Sequence, residues 1–123
     1  MRIVDRKTFL AMPVGTIFAK FGDQYGSKNN MCFGEILIKG DTTGKDFIAQ
    51  EFNPWFKGCK DSGHYFDNID KMVDGESSEA VLDYYCNSRD GMFDERQRFA
   101  IWDFDDATEL LERIKEAIKD GYT

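Results

Sequence analysis

Arg98-Phe99-Ala100-Ile101-Trp102-Asp103-Phe104, running straight into Ala107 to Lys119, is the stretch whose reading decides the fold. The first part alternates as a strand does: Phe99 and Ile101 point one way, Trp102 and Phe104 the other. Bulky apolar groups on both faces predict a central strand. One face would be covered by the helix that follows, the other by a loop, a short helix or a partner. Ordinary core packing accounts for most aromatic residues at such spacing.

The helix shows an apolar stripe at Ala107, Leu110, Leu111, Ile114, Ala117 and Ile118, all on one face at spacings of three and four. Glu109, Glu112, Arg113, Lys115, Glu116 and Lys119 take the other face, and Glu109 precedes Arg113 by the favourable four residues. Asp106 is placed to accept from the free N–H groups of the first turn, with Glu109 completing a capping-box-like pattern. Gly121 is placed to end the helix. A helix striped in this way cannot bury its apolar face alone.

Length and composition narrow the rest. At 123 residues, 41% of them hydrophobic and eleven of them Phe, the chain reads as one domain spanning 1–123, too apolar for disorder. No apolar run reaches the roughly 18 residues of a membrane span, and Met1 to Lys7 breaks up before a signal-peptide core forms, so the expectation is a cytoplasmic protein. Three widely spaced cysteines, Cys32, Cys59 and Cys86, fit reduced thiols better than a disulfide framework. A net charge of -7 argues against direct DNA binding, which needs a basic surface, and favours a protein partner with a basic surface.

Taken in order, Asp5 to Ala11 reads as a short helix capped by Asp5 and stopped by Pro13, with Phe9 and Leu10 placed to tuck inward. Val14 to Phe21 reads as a strand, and Gly22 to Asn30 as a polar loop. Met31 to Lys39 is a second strand, with Ile36 and Ile38 opposed to Phe33 and Leu37. Gly40 to Lys45 is a turn, and Asp46 to Phe52 a third strand. Asn53 to Gly63 is irregular and carries Trp55 and Phe56. A second helix runs from Ser62, its cap, through Val73. Ala80 to Cys86 reads as strand four, with Ser77 to Leu82 alternatively helical. Asn87 to Gly91 is a turn, sharpest at Asp90-Gly91. The fold class is therefore α+β: an antiparallel sheet of about five strands, the C-terminal helix packed on one face, and two short peripheral helices.

No catalytic constellation stands out. His64 and the three cysteines are zinc-ligand types, but no close pair of cysteines is present, and no metal or cofactor is expected. His64 can serve only one thiol as a base. Asp90-Gly91 lacks the carboxylates of a calcium loop, with Cys86 and Ser88 in their places. The surplus acids along Asp67, Asp70 and Asp74 read as solvated helix surface, with hydrolase chemistry through surface carboxylates as the enzymatic alternative. No phosphate-binding glycine motif occurs. Two binding readings follow. In one, Trp55, Phe56 and Trp102 anchor a protein partner while Asp103, Asp105 and Asp106 steer it. In the other, Phe18, Phe33, Tyr84 and Tyr85 stack a nucleotide and Arg89 meets its phosphate.

Two segments read together carry a resemblance. Arg6-Lys7-Thr8-Phe9-Leu10-Ala11-Met12-Pro13-Val14-Gly15-Thr16 is followed much later by Ser88-Arg89-Asp90-Gly91-Met92-Phe93-Asp94 and Phe99-Ala100-Ile101-Trp102. Together they resemble small uncharacterised proteins encoded by bacteriophages and prophages. The resemblance covers the two ends of the chain and assigns no site residue. It implies a bacterial host cytoplasm, and a non-enzymatic protein that inhibits a host or anti-phage defence protein by direct contact. The alternative it implies is a sponge for a small nucleotide signal.

Overall fold

The computed structural model describes residues 1–22, 32–53, 55–76 and 79–122. Six strands form one antiparallel sheet: β1 (Arg2–Val4), β2 (Ile17–Phe21), β3 (Phe33–Thr43), β4 (Asp46–Glu51), β7 (Ser88–Arg89) and β8 (Arg98–Trp102). Their spatial order is β1-β8-β2-β3-β4-β7. A separate two-stranded ribbon pairs β5 (Trp55–Phe56) with β6 (Leu82–Asp83). The helices are α1 (Arg6–Leu10), α2 (Ser62–Val73) and α3 (Phe104–Gly121). The α+β class and the antiparallel sheet are as the sequence predicts, and β8 is an interior strand with β1 on one side and β2 on the other.

One face of the sheet holds the core, and α1 covers it. Phe9 of α1 is fully buried and stacks on Phe99 of β8, ring centroids 4.1 Å apart and 6° from parallel. Phe18 lies 4.5 Å and Phe47 4.9 Å from the same ring. Ala49 and Ile101 complete the cluster, with Val4, Leu10, Met12 and Leu37 around it. The local sequence sets this up. The Asp5 carboxylate accepts from Thr8 N at 2.8 Å and starts the helix, which delivers Phe9 one turn later. The helix expected at the periphery is thus the one that seals the core.

The expectation for α3 needs the opposite correction. It does not lie on the sheet. Ala107 and Leu110 are half-buried, and every described residue from Leu111 onward is exposed. The reason is the connection. Trp102 ends β8, Asp103 is the N-cap, and Phe104 is already helical, so the helix departs from the end of the strand across a single residue and runs on away from the sheet. The cap is Asp103, with Asp106 as its capping-box partner, and not Asp106 with Glu109.

Two bulges in β3 explain the other differences. Ala19 pairs with Ile36 and Phe21 with Phe33, so β3 spends three residues where β2 spends two. The extra residue reverses the alternation, and Phe33 lands on the same face as Ile36 and Ile38 instead of opposite them. Its ring meets Phe21 at 5.1 Å and Trp102 at 6.2 Å. A second bulge falls between Lys39 and Thr42. The strand therefore runs on through the segment expected to turn, and the reversal shrinks to Gly44-Lys45. Gly44 adopts φ +61°, which suits the first central position of a tight hairpin turn.

The face opposite α1 is apolar and partly exposed among the described residues, with Ala19, Ala100 and Phe21 buried on it. Ile17, Ile36, Ile38, Ile48 and Trp102 are half-buried there, and Phe33 and Ile3 are exposed. Of the remaining elements, α2 has the predicted bounds but is capped by Asp61, whose carboxylate accepts from His64 N. Strand four contracts to Leu82–Asp83 and leaves the main sheet for the ribbon. In the main sheet its expected place is taken by Ser88–Arg89, read as a turn, because the bonds of β4's free edge fall to Ala49 and Ile48 opposite those two residues. β1 was not predicted, being three residues long. Most of the loop expected at Gly22 to Asn30 lies outside the described residues.

Candidate functional site

The corner where β8 becomes α3 gathers four of the six residues expected to meet a protein partner: Trp102, Asp103, Asp105 and Asp106. The capping box fixes their arrangement. The Asp103 carboxylate accepts from Asp106 N at 3.1 Å, and the Asp106 carboxylate accepts from Asp103 N at 3.4 Å. Both carboxylates also pair with the Met1 ammonium. The backbone N–H of Asp106, then the bond from the Met1 ammonium, hold the Asp103 carboxyl below the usual carboxylate range. The bonds from Met1 to Asp106 and Asp103 raise the amine above its ordinary value. Asp105 stands free of the cap and exposed in the first turn, so the corner carries acid at the positive end of a helix dipole.

Phe104 belongs to this corner, and reading the sequence missed it. Alternation assigned it to the strand, facing with Trp102. Because the helix begins at Phe104, its ring points out and is 83% exposed. The signal available was Asp103 followed three residues later by Asp106, a capping pattern displaced by one turn from the one chosen. Beside these residues lies a groove of about 390 Å³, lined by Met12, Pro13, Ile17, Trp102 and Phe104 among others, with Arg2 and Asp103 as its charged members. An apolar groove with an exposed aromatic beside it and carboxylates at one end can seat a side chain next to a basic surface.

The other two expected contact residues sit elsewhere. Trp55 and Phe56 form β5 of the ribbon, and their rings pack on Tyr65 of α2 at 4.2 and 4.8 Å. Trp55 N donates to Cys86 Sγ at 3.4 Å. The pair is thus engaged in packing the ribbon against α2, although Trp55 keeps 38% of its surface exposed.

The nucleotide-stacking set is not assembled. Phe18 is fully buried under α1 and has no surface on which a base could stack, so that assignment is corrected. Phe33 is on the opposite face of the sheet. Tyr84 and Tyr85 are exposed in the segment between β6 and β7. Arg89 is engaged, its Nε donating to Asp46 at 2.9 Å.

That last contact belongs to a buried ionic cluster at the edge of the core. Arg6 donates to Asp90 at 3.1 Å and to the carbonyl of Lys45 at 2.8 Å. Lys20 pairs with the other Asp90 oxygen. Asp46 accepts from Gly91 N and Arg89, and the Gly91 N–H is the main reason its carboxyl titrates below the ordinary range. The cluster ties α1, the start of β4 and the segment after β7 together. A cavity of about 300 Å³ adjoins it at Lys20, Asp90 and Gln97. A larger hollow of about 640 Å³ opens between Lys7, Lys45, Phe93 and Glu95. Phe93 has left-handed backbone there, φ +53°.

Among the described residues, no three His, Cys, Asp or Glu side chains come together to hold a metal. His64 Nδ1 accepts from Lys60 N, and Cys59 Sγ accepts from the Asn68 amide. Among the described residues, no helix is long and apolar enough to cross a membrane. Comparison with known proteins places no relative beside this chain: no family model, no curated protein and no solved structure matches it.

Proposed function

We propose that this chain is a non-enzymatic binding protein that acts by direct contact with another protein through the β8–α3 corner. The observation that carries the reading is the exposed Phe104 ring set among Asp103, Asp105 and Asp106 beside an apolar groove. The carboxylates would steer a basic surface into place, and the aromatic residues would anchor it once there. With the resemblance to small phage-encoded proteins, the target class is a host or anti-phage defence protein of the bacterial cytoplasm, and the consequence of binding is inhibition.

Native mass spectrometry of the tagged chain after incubation in bacterial lysate tests the reading. A complex with a protein is the expected outcome. With the captured protein in hand, Phe104→Ala is expected to raise the dissociation rate at least roughly tenfold. Asp105→Asn should instead slow association, with a shallower salt dependence than the parent. An added mass the size of a nucleotide, or a partner whose binding ignores both substitutions, overturns it.

A further inference from the structure

Among the described residues the same chain carries two partly exposed apolar surfaces that have the form of partners. One is the sheet face opposite α1, with Ile36, Ile38, Ile48 and Phe33 at its centre. The other is the stripe on α3, where Leu111 is 51%, Ile114 46% and Ile118 54% exposed. We infer that they bind each other between two copies of the chain, the α3 of each copy lying on the open sheet face of the other. This goes beyond the corner's proposed contact with a foreign protein and uses other residues.

The simpler closure within one chain is not what the structure adopts. A single residue, Asp103, separates β8 from α3, and the capping box holds that junction. Leaving the strand this directly, the helix runs outward in this structure, and every described residue from Leu111 onward is exposed. A second copy has no such tether. An α3 of 18 residues is about 27 Å long and fits along β3, whose 11 residues extend about 37 Å.

The exchange is also self-consistent. If one copy's helix meets the other's sheet, the reverse contact follows from two-fold symmetry, and both open surfaces of both copies are covered. Each contact would cover Leu111, Ile114 and Ile118 of one copy and Phe33 with its half-buried isoleucine neighbours of the other, and the doubled contact is what would bring the buried area toward the roughly 1,200–2,000 Å² of specific, stable interfaces. Charge agrees as well. Helix α3 carries six acids (Asp105, Asp106, Glu109, Glu112, Glu116, Asp120) against Arg113, Lys115 and Lys119, whereas Arg89 of edge strand β7 lies opposite Ile48 and so on this sheet face.

The test is sedimentation of the full chain, unmodified and substituted. The unmodified chain is expected to sediment as a dimer, at twice 14.2 kDa, at micromolar concentration. Ile114→Glu with Ile118→Glu on the helix should weaken association at least roughly a hundredfold, because each change counts twice in a symmetric interface. Both positions are exposed, so the far-ultraviolet circular dichroism should be unchanged. Ile48→Lys on the sheet should do the same. Mixing the helix-blocked and sheet-blocked chains should restore part of the dimer, since one intact helix-to-sheet contact remains. A monomer for the unmodified chain overturns the inference without recourse to any variant. A sheet-blocked chain that still dimerises as well as the parent would show helix-to-helix pairing and would also overturn it.

Discussion

At the residue scale, the most instructive side chain is Lys39. It is 2% exposed on the core face, its Nζ donating to Thr42 Oγ1 at 2.7 Å and to the Gly40 carbonyl at 3.2 Å, with the Phe9 ring beneath it. Burial pushes its amine below the ordinary lysine value. A depressed lysine means the unfolded chain holds more protons, so folding is penalised while the amine is charged and gains as pH rises toward 10.5. Lys39→Met keeps the length and removes the buried charge, so its melting temperature should equal or exceed the parent's. The acids run the other way. Asp46, Asp103 and Asp5 all titrate below 3.8 when folded, so their contribution is complete above that value and disappears as pH falls through the folded pKa. Acid titration of the folded fraction should show loss of stability beginning near pH 4 and continuing below it, and Asp46→Asn should flatten that limb. Phe9→Ala should cost about 3–5 kcal/mol in a denaturant melt, because it empties the centre of a four-ring cluster. Phe9 was legible as an inward-facing residue from its helix alone. The burial of Lys39 was not, since a charged residue beside a glycine and an aspartate carries the composition of a turn.

At the element scale, helices were easier to read than strands because a period of 3.6 over many residues leaves little freedom. The bounds of α2 came out of its spacing directly, whereas α3 was displaced at its start, where two capping patterns overlap, and at its end, where it runs through Gly121, expected to stop it, to a cap at Tyr122. Strand β3 was harder. Each of its bulges reverses the period-two pattern, and neither announces itself except through Gly34 and Gly40, where a side chain would crowd the neighbouring strand. At Gly40 an added Cβ meets the Ile48 carbonyl at 3.1 Å and its side chain at 3.3 Å. Gly44 adopts a left-handed conformation in open space, so Gly44→Ala isolates the backbone cost of the β3–β4 turn. It should destabilise by about 1 kcal/mol in thermal melts, with no change in the core signal of near-ultraviolet circular dichroism. Short pairings such as Leu82–Asp83 and Ser88–Arg89 have no period of their own. They exist because a sheet edge or a neighbouring loop is there to pair with, and that is tertiary information.

For the whole molecule, the α+β class and the interior place of the last strand were legible from one stretch with large apolar groups on both faces. Which helix would cover which face was not, because amphipathic spacing marks a surface that wants covering and says nothing about what covers it. The acidic corner was legible as a group of charges and Trp102, but only the register of the helix start turned Phe104 outward beside them. The order β1-β8-β2-β3-β4-β7 has a further consequence, for synthesis. A ribosome makes β2 early, but its neighbour on one side, β8, comes only after everything from Gly22 to Gln97 has been translated. Until then Phe9 lacks the Phe99 ring it stacks on, and β1 has no strand to join. The nascent chain must emerge with an unpaired strand edge and a bare aromatic cluster, and it can close its sheet only near the end of translation. Chains stalled before Arg98 should therefore depend on chaperones in a way the finished protein does not.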